Sequence, residues 1–258
     1  MEKVLKLYKN MSETPLECLE RFKKDNPEYK EFKMTYAGRL DPMAEGELLV
    51  LVGEECKNKE AYLGLDKEYE MDVLFGLETD TFDILGLLDK DLEALLPSLE
   101  DYDIAGHGAK MERFLEKIIG QHEQEYPPFS SKTIQGKQLF QIAKDGELDE
   151  HILPTKNVEI YEAELLKNYF ITTQDLKGDV TKRILLVKGD FRQEEILKRW
   201  NKVLKKAGER RFLISKIKVK CSGGVYMRNL AVELGKFVGA PALAFKIKRN
   251  KIFDTDNK

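Results

Sequence analysis

Two stretches far apart in the chain alternate apolar and charged residues with the period of a β-strand. Tyr69, Met71, Val73 and Phe75 interleave with Glu68, Glu70 and Asp72, while Ile217, Val219 and Cys221 interleave with Lys216, Lys218 and Lys220. Successive strand side chains point to opposite faces, so each stretch predicts a strand with one buried face and one charged face. Leu48–Val52, Val158–Leu165, Arg183–Val187 and the basic Phe245–Phe253 are further strand candidates. Helical spacing appears at residues 15–24, opened by the capping box Thr14-Pro15-Leu16-Glu17. It recurs at Met111–Ile118, at Ile196–Leu204 before Gly208, and at Leu230–Val238 before Gly239. Residues 33–46, punctuated by Gly and Pro, read as a loop. Strands and helices mix without regular βαβ alternation, which predicts an α+β chain.

Few function classes survive the composition. The longest aliphatic run, Leu48–Val52, is far too short to span a bilayer, and the start MEKVLKLYKN has no apolar signal core. Three scattered cysteines, Cys18, Cys56 and Cys221, predict free thiols and a reducing cytosol. His107, His122 and His151 have no metal-ligand spacing, so neither a metal nor a cofactor is expected. The formal net charge of −3 hides a split: residues 201–258 carry 15 Lys+Arg against 4 Asp+Glu, and Glu78–Asp103 holds nine acids against one lysine. Such asymmetry marks either a polyanion-binding face or a set of solvated faces. On the first reading, Lys216, Lys218, Lys220 and the 246–251 strand grip phosphates, and the acidic stretch points away or makes contact only at its edge.

Phosphate-binding glycine loops, nucleophile elbows and HExxH are absent. What stands out is Ala37-Gly38-Arg39-Leu40-Asp41-Pro42-Met43-Ala44-Glu45-Gly46. Its carboxylate could act as nucleophile or base, and Asp-Pro also starts ordinary turns. TYAGRLDPMAEG (35–46) resembles the catalytic loop G-H-x-G-T/R-L-D-P-x-A-x-G of the TruB family of tRNA pseudouridine synthases. LDKEY (65–69), GLETDTFDILG (76–86), QEYPPFSSKTIQGKQLFQIAKDG (124–146), CSGGVYMRNL (221–230) and IKR (247–249) follow in the family's order.

The resemblance implies a pseudouridine synthase fold: a mixed, mainly antiparallel sheet with flanking helices and a central RNA-binding cleft. It implies a single catalytic domain over 1–258, with a helical and loop insertion at roughly 77–150 and no PUA domain. By resemblance Asp41 is the catalytic carboxylate and Arg228 its arginine partner. Tyr69 is the residue that stacks on the target base, and Tyr226 and Ile247 line the pocket. Tyr36 stands where the family usually has histidine, and its ring still offers a contact to RNA. Lys67, Lys132, Lys246, Lys248 and Arg249 are the expected contacts to the RNA backbone. Asn10 replaces the proline that usually follows the residue matching Lys9.

The chemistry agrees with the residues present. Isomerising uridine transfers no group and no electrons, needs one carboxylate, and must reach a base taken out of its stack. A nearby guanidinium favours the charged form of a carboxylate. RNA loops are the expected target, because only there are bases free to be splayed. The expected function is conversion of uridine 55 in the T-loop of tRNA by a cytosolic enzyme. It needs no cofactor, membrane or obligate protein partner, and a monomer is expected. The rivals are the same chemistry on another RNA, and a non-catalytic tRNA-folding module in which Asp41 is a turn residue. For each residue a packing role stands beside the functional one: strand-edge tyrosines, a solvated Arg228, a solvated lysine face.

Overall fold

The structure is a computed structural model that describes residues 2–89, 104–148 and 153–253. Its frame is an eight-stranded sheet. β1 (Val4–Lys9), β3 (Ala44–Val52), β10 (Ala242–Ile252), β4 (Lys67–Phe75), β9 (Arg211–Cys221), β8 (Thr155–Thr172) and β5 (Gly120–Glu125) lie side by side in that order, and β2 (Met34–Ala37) pairs with β3. Every pairing is antiparallel except β3 with β10. β6 (Thr133–Ile134) and β7 (Lys137–Gln138) form a separate hairpin.

The helices cover both faces of the sheet. α3 (Ile104–Lys117) and α7 (Met227–Val238) pack Met111, Phe114, Leu115, Leu230 and Leu234 against the face of Tyr69, Met71, Val73 and Ile217. α5 (Thr173–Leu186) and α6 (Gln193–Ala207) pack Leu176, Val180, Ile184, Ile196 and Trp200 against Leu74, Ile214, Leu243 and Phe245 on the other. Each such aliphatic side chain fully buried contributes roughly 1.5–3 kcal/mol. At the edge, α1 (Pro15–Asp25) lays Cys18 and Leu19 on Leu5, Leu48 and Val50. Its start is the expected capping box, with Thr14 and Glu17 bonded reciprocally. Two short helices, α2 (Lys59–Leu63) and α4 (Leu139–Lys144), sit in connections.

Three expectations need correction. Arg183–Val187 is not a strand but the end of α5. Leu176, Val180 and Ile184 recur every four residues on its buried side, while Leu185 and Leu186 face solvent. The 33–46 loop contains β2, which pairs with Leu49–Val52, and its last residues open β3. β8 runs from Thr155 to Thr172, well past the expected Leu165.

The charged faces of the two alternating strands meet each other. Lys216 lies 2.9 Å from Asp72 and 3.5 Å from Glu70, Lys218 lies 3.3 Å from Glu68, and Lys220 lies 3.4 Å from Glu162. This lysine row therefore has carboxylates across the strand, where each exposed pair contributes under about 1 kcal/mol. It lies on the sheet face opposite Tyr69. No helix among the described residues is long and apolar enough to cross a membrane, and all three cysteines are free.

Candidate active site

Sheet register brings distant parts of the chain to one spot. Arg249 of β10 pairs with Gly46 of β3 on one side and Tyr69 of β4 on the other, and Ile247 pairs with Ala44. Gly46 is required there: at φ +116°, a Cβ would sit 2.1 Å from the Arg249 carbonyl oxygen. The 38–43 loop leaves β2 and re-enters the sheet at β3, so it crosses directly above this spot. A cleft of about 860 Å³ opens there, lined among others by Asp41, Tyr69, Tyr226, Arg228, Ile247 and Tyr36.

Asp41 and Arg228 meet in the cleft. Arg228, near the start of α7, places Nε 2.8 Å from Asp41 Oδ2, an ion pair without a linear hydrogen bond. The Arg228 side chain is 4% exposed and that of Asp41 is 40% exposed, so the guanidinium is enclosed and the carboxylate faces the cleft. The other guanidinium nitrogens donate to the carbonyls of Thr81, at 2.7 Å, and Phe129, at 3.2 Å. Burial alone would weaken this cation, but the charges of Asp41 and Asp83 outweigh it and raise its pKa.

Asp83 is a second carboxylate at the cleft. Burial pushes it up to about 6, against the opposing pull of Arg228. Its Oδ1 accepts from Thr81 Oγ1 and the Leu85 amide, both at 2.9 Å. The acidic 78–103 stretch thus borders the cleft through Thr81, Asp83 and Leu85; residues 90–103 lie outside the described residues. The pattern around Asp83 was visible in sequence as GLETDTFDILG, but nothing in it ranks Asp83 above Asp80, which pairs instead with Arg192 at 2.9 Å.

The loop carrying Asp41 is tied down by buried cations. Arg249 donates Nε to the Glu47 carbonyl at 2.7 Å, Nη2 to Gly38 at 3.1 Å and Nη1 to Arg39 at 3.4 Å. Lys9, fully buried, donates to the carbonyls of Asn10, Glu13 and Pro42, and burial pushes it down to about 8. The Ser12 amide also donates to Pro42. Ordinary burial of such lysines is rare without partners, and here three backbone carbonyls are the partners, one of them Pro42 of the loop.

The expected RNA-contacting residues separate into four groups. Tyr36, Tyr69, Tyr226, Ile247 and Arg228 line the cleft with Asp41. Burial raises the hydroxyl pKa of Tyr69, and that of Tyr226 to about 12, with Asp41 adding to both. Tyr36 lies under two cations, Arg39 at 5.9 Å and Lys59 at 5.5 Å from its ring centroid. Lys67 and Arg249 line the cleft too, but their donors are occupied by backbone: Lys67 is buried and bonded to the Leu63 and Leu65 carbonyls. Lys246 and Lys248 flank the inward Ile247 and point to the other sheet face, opposite Asp72 and Glu70. Lys132 stands over the Tyr126 ring. Sequence reasoning missed Lys156, whose ammonium lies 4.5 Å from the Tyr226 centroid. No trio of His, Cys, Asp or Glu among the described residues could hold a metal ion.

The chain matches the TruB family pseudouridylate synthase N-terminal domain over residues 26–181. It is similar to proteins named tRNA pseudouridine synthase B. That of Borreliella afzelii is 28% identical over 217 residues, covering 84% of this chain and 58% of the relative. That of Aquifex aeolicus is 31% identical over 166 residues, covering 64% and 53%. The chain thus spans somewhat more than half the length of these relatives. Among solved structures, a crystal structure of a Cbf5–Nop10–Gar1 complex superposes with a TM-score of 0.53 at 16% identity, over 97% of this chain and 48% of the other. That likeness bears on the fold alone, and it agrees with the α+β, mainly antiparallel sheet seen here. With more than half of its residues matched to the family pattern, the chain belongs to the TruB family of pseudouridylate synthases.

Proposed function

We propose that this protein isomerises uridine to pseudouridine in tRNA, at position 55 of the T-loop. The observation that carries the reading is the Asp41–Arg228 pair: one carboxylate, open to the cleft, held by an enclosed guanidinium whose other nitrogens are fixed by backbone. A binding module has no use for that arrangement, whereas a reaction needing one oriented carboxylate does. The N1–C1′ bond breaks, the base turns, and a C5–C1′ bond forms. N1 gains a proton and C5 loses one. Asp41 supplies the carboxylate that acts on the nucleotide, and Arg228 fixes its position through three acceptors.

The target base must leave its stack to reach Asp41. Tyr69 and Tyr226 offer aromatic surface and Ile247 an apolar wall, the surroundings that hold a flipped base. The names of the relatives support tRNA as the RNA, and the T-arm is the part engaged. Three free cysteines fit a reducing cytosol, and the reading carries a monomer acting without a cofactor. The test is a chemical map of pseudouridine in tRNA from cells with and without the gene. Loss of the modification at position 55 alone supports the reading. Unchanged tRNA refutes the substrate.

A further inference from the structure

Most basic side chains around the cleft are already matched. Arg228 has Asp41, Arg249 and Lys67 have backbone carbonyls, and the β9 lysines have carboxylates. Lys132 and Lys156 differ. Their side chains make no hydrogen bond or ion pair with any described residue, yet both ammonium groups stand against the same tyrosine ring, and the charge of Lys132 is felt at Lys156. Lys132 Nζ lies 5.1 Å and Lys156 Nζ 5.2 Å from the centroid of the Tyr126 ring, and Lys156 is also 4.5 Å from that of Tyr226. The two rings meet edge to face at 5.6 Å.

Like charges gathered on a wall of partly buried aromatic surface are unfavourable unless an anion joins them. The cost is visible at Lys156, whose pKa is pushed down to about 8, chiefly by burial and further by Lys132. The ammonium packs closely on the backbone of Gly224, where a Cβ would lie 2.6 Å from Lys156 Nζ. The two lysines come from separate elements, the start of the β6–β7 hairpin and the start of β8. Lys156 lines the cleft that holds Asp41, and Lys132 follows the lining residues Ser130 and Ser131; Lys156 rests on Tyr226, whose hydroxyl pKa is raised by burial, with the charge of Asp41 adding.

We propose that Lys132 and Lys156, seated on Tyr126 and Tyr226, form a subsite for a backbone phosphodiester of the RNA, beside the nucleotide that reaches Asp41. This rests on the proposed function for the identity of the nucleic acid. A phosphodiester brings one negative charge to two waiting ammonium groups, and the rings favour those cations while excluding water. Lysine binds phosphate as a point charge, so the subsite sets position along the backbone and carries no base preference.

The test uses the full chain and a T-arm RNA hairpin. Affinity is measured across a salt series for the parent, Lys156→Gln, Lys132→Gln and Lys156→Arg, with pseudouridine formation followed in parallel. The subsite predicts that each glutamine variant binds several-fold more weakly and that its log–log salt slope is shallower by about one. Lys156→Arg keeps the parent's slope. One neutral methylphosphonate, scanned through the loop, should at a single position weaken the parent and erase its advantage over Lys156→Gln. Parental affinity and slope in both folded glutamine variants overturn the subsite. Should Lys156→Gln not fold, Lys132→Gln decides, since Lys132 is exposed. A parent that binds the hairpin but forms no pseudouridine overturns the isomerase reading, and the slopes still decide the subsite. A parent that does not bind overturns both.

Discussion

Replacing Arg228 by lysine keeps the charge and removes the fork. In the parent, three guanidinium nitrogens reach three acceptors: Asp41 Oδ2 at 2.8 Å, the Thr81 carbonyl at 2.7 Å and the Phe129 carbonyl at 3.2 Å. An ammonium is a single point on a shorter reach and cannot serve all three. At least one enclosed carbonyl loses its donor, which costs about 1–3 kcal/mol of stability. Asp41 also loses the fixed Nε contact at its Oδ2 and shifts relative to the sugar. A displacement near 1 Å at a reacting group costs on the order of 10²-fold, so turnover should fall by at least about that factor. RNA affinity, set by other residues, should stay within roughly threefold. Urea denaturation gives the stability, single-turnover pseudouridine formation gives the rate, and filter binding gives the affinity. A variant with the parent's turnover and stability would show that the fork does not position Asp41, and the site described here would be wrong.

Other perturbations follow from the same geometry. Asp41→Asn should abolish isomerisation while leaving the melting temperature and hairpin binding near the parent's, because the amide is nearly isosteric. Gly46→Ala places a Cβ against the Arg249 carbonyl at φ +116°, so thermal unfolding should show a loss of more than about 2 kcal/mol. Lys246, Lys248 and Lys251 changed together to Ala should leave the salt slope of RNA binding unchanged, because these residues pair in register with Asp72, Glu70 and Glu68 on β4; a shallower slope would restore that strand as an RNA contact. Glu233, pushed up to about 7 by burial, disfavours folding as it ionises. Its contribution is therefore fully present below the unfolded value near pH 4.3 and is lost as pH rises through about 7. Glu233→Gln should remove that part of the decline in urea midpoint.

The elements that could be read in the sequence are those whose pattern is local. The capping box at Thr14 and the alternation along β4 and β9 each depend on residues within a few positions. Arg183–Val187 defeated the same logic, since a short apolar run has no period of its own; only Leu176 and Val180, upstream, reveal the helix. β2 was hidden because its four residues become a strand by pairing with β3. The lysine row at 216–220 was correctly placed on one face, but its partners lie on β4 and β8, and sequence does not say which strands will be neighbours. At the site, the family pattern picks out Asp41, Tyr69, Tyr226, Arg228 and Ile247, which the register gathers into one cleft. Lys156 had no such pattern, because what singles it out is proximity to Tyr126, Tyr226 and Gly224 from two other segments.

Carbon 5 of the target uridine must lose its hydrogen when the new C5–C1′ bond forms. Release of tritium from RNA labelled at uridine C5 therefore reads the reaction directly. With purified protein in excess over a T-arm hairpin, the account predicts release of one equivalent per RNA, from the T-loop uridine alone, and none with Asp41→Asn. Failure of the parent to release tritium, or release by the asparagine variant at the parent's rate, would contradict it.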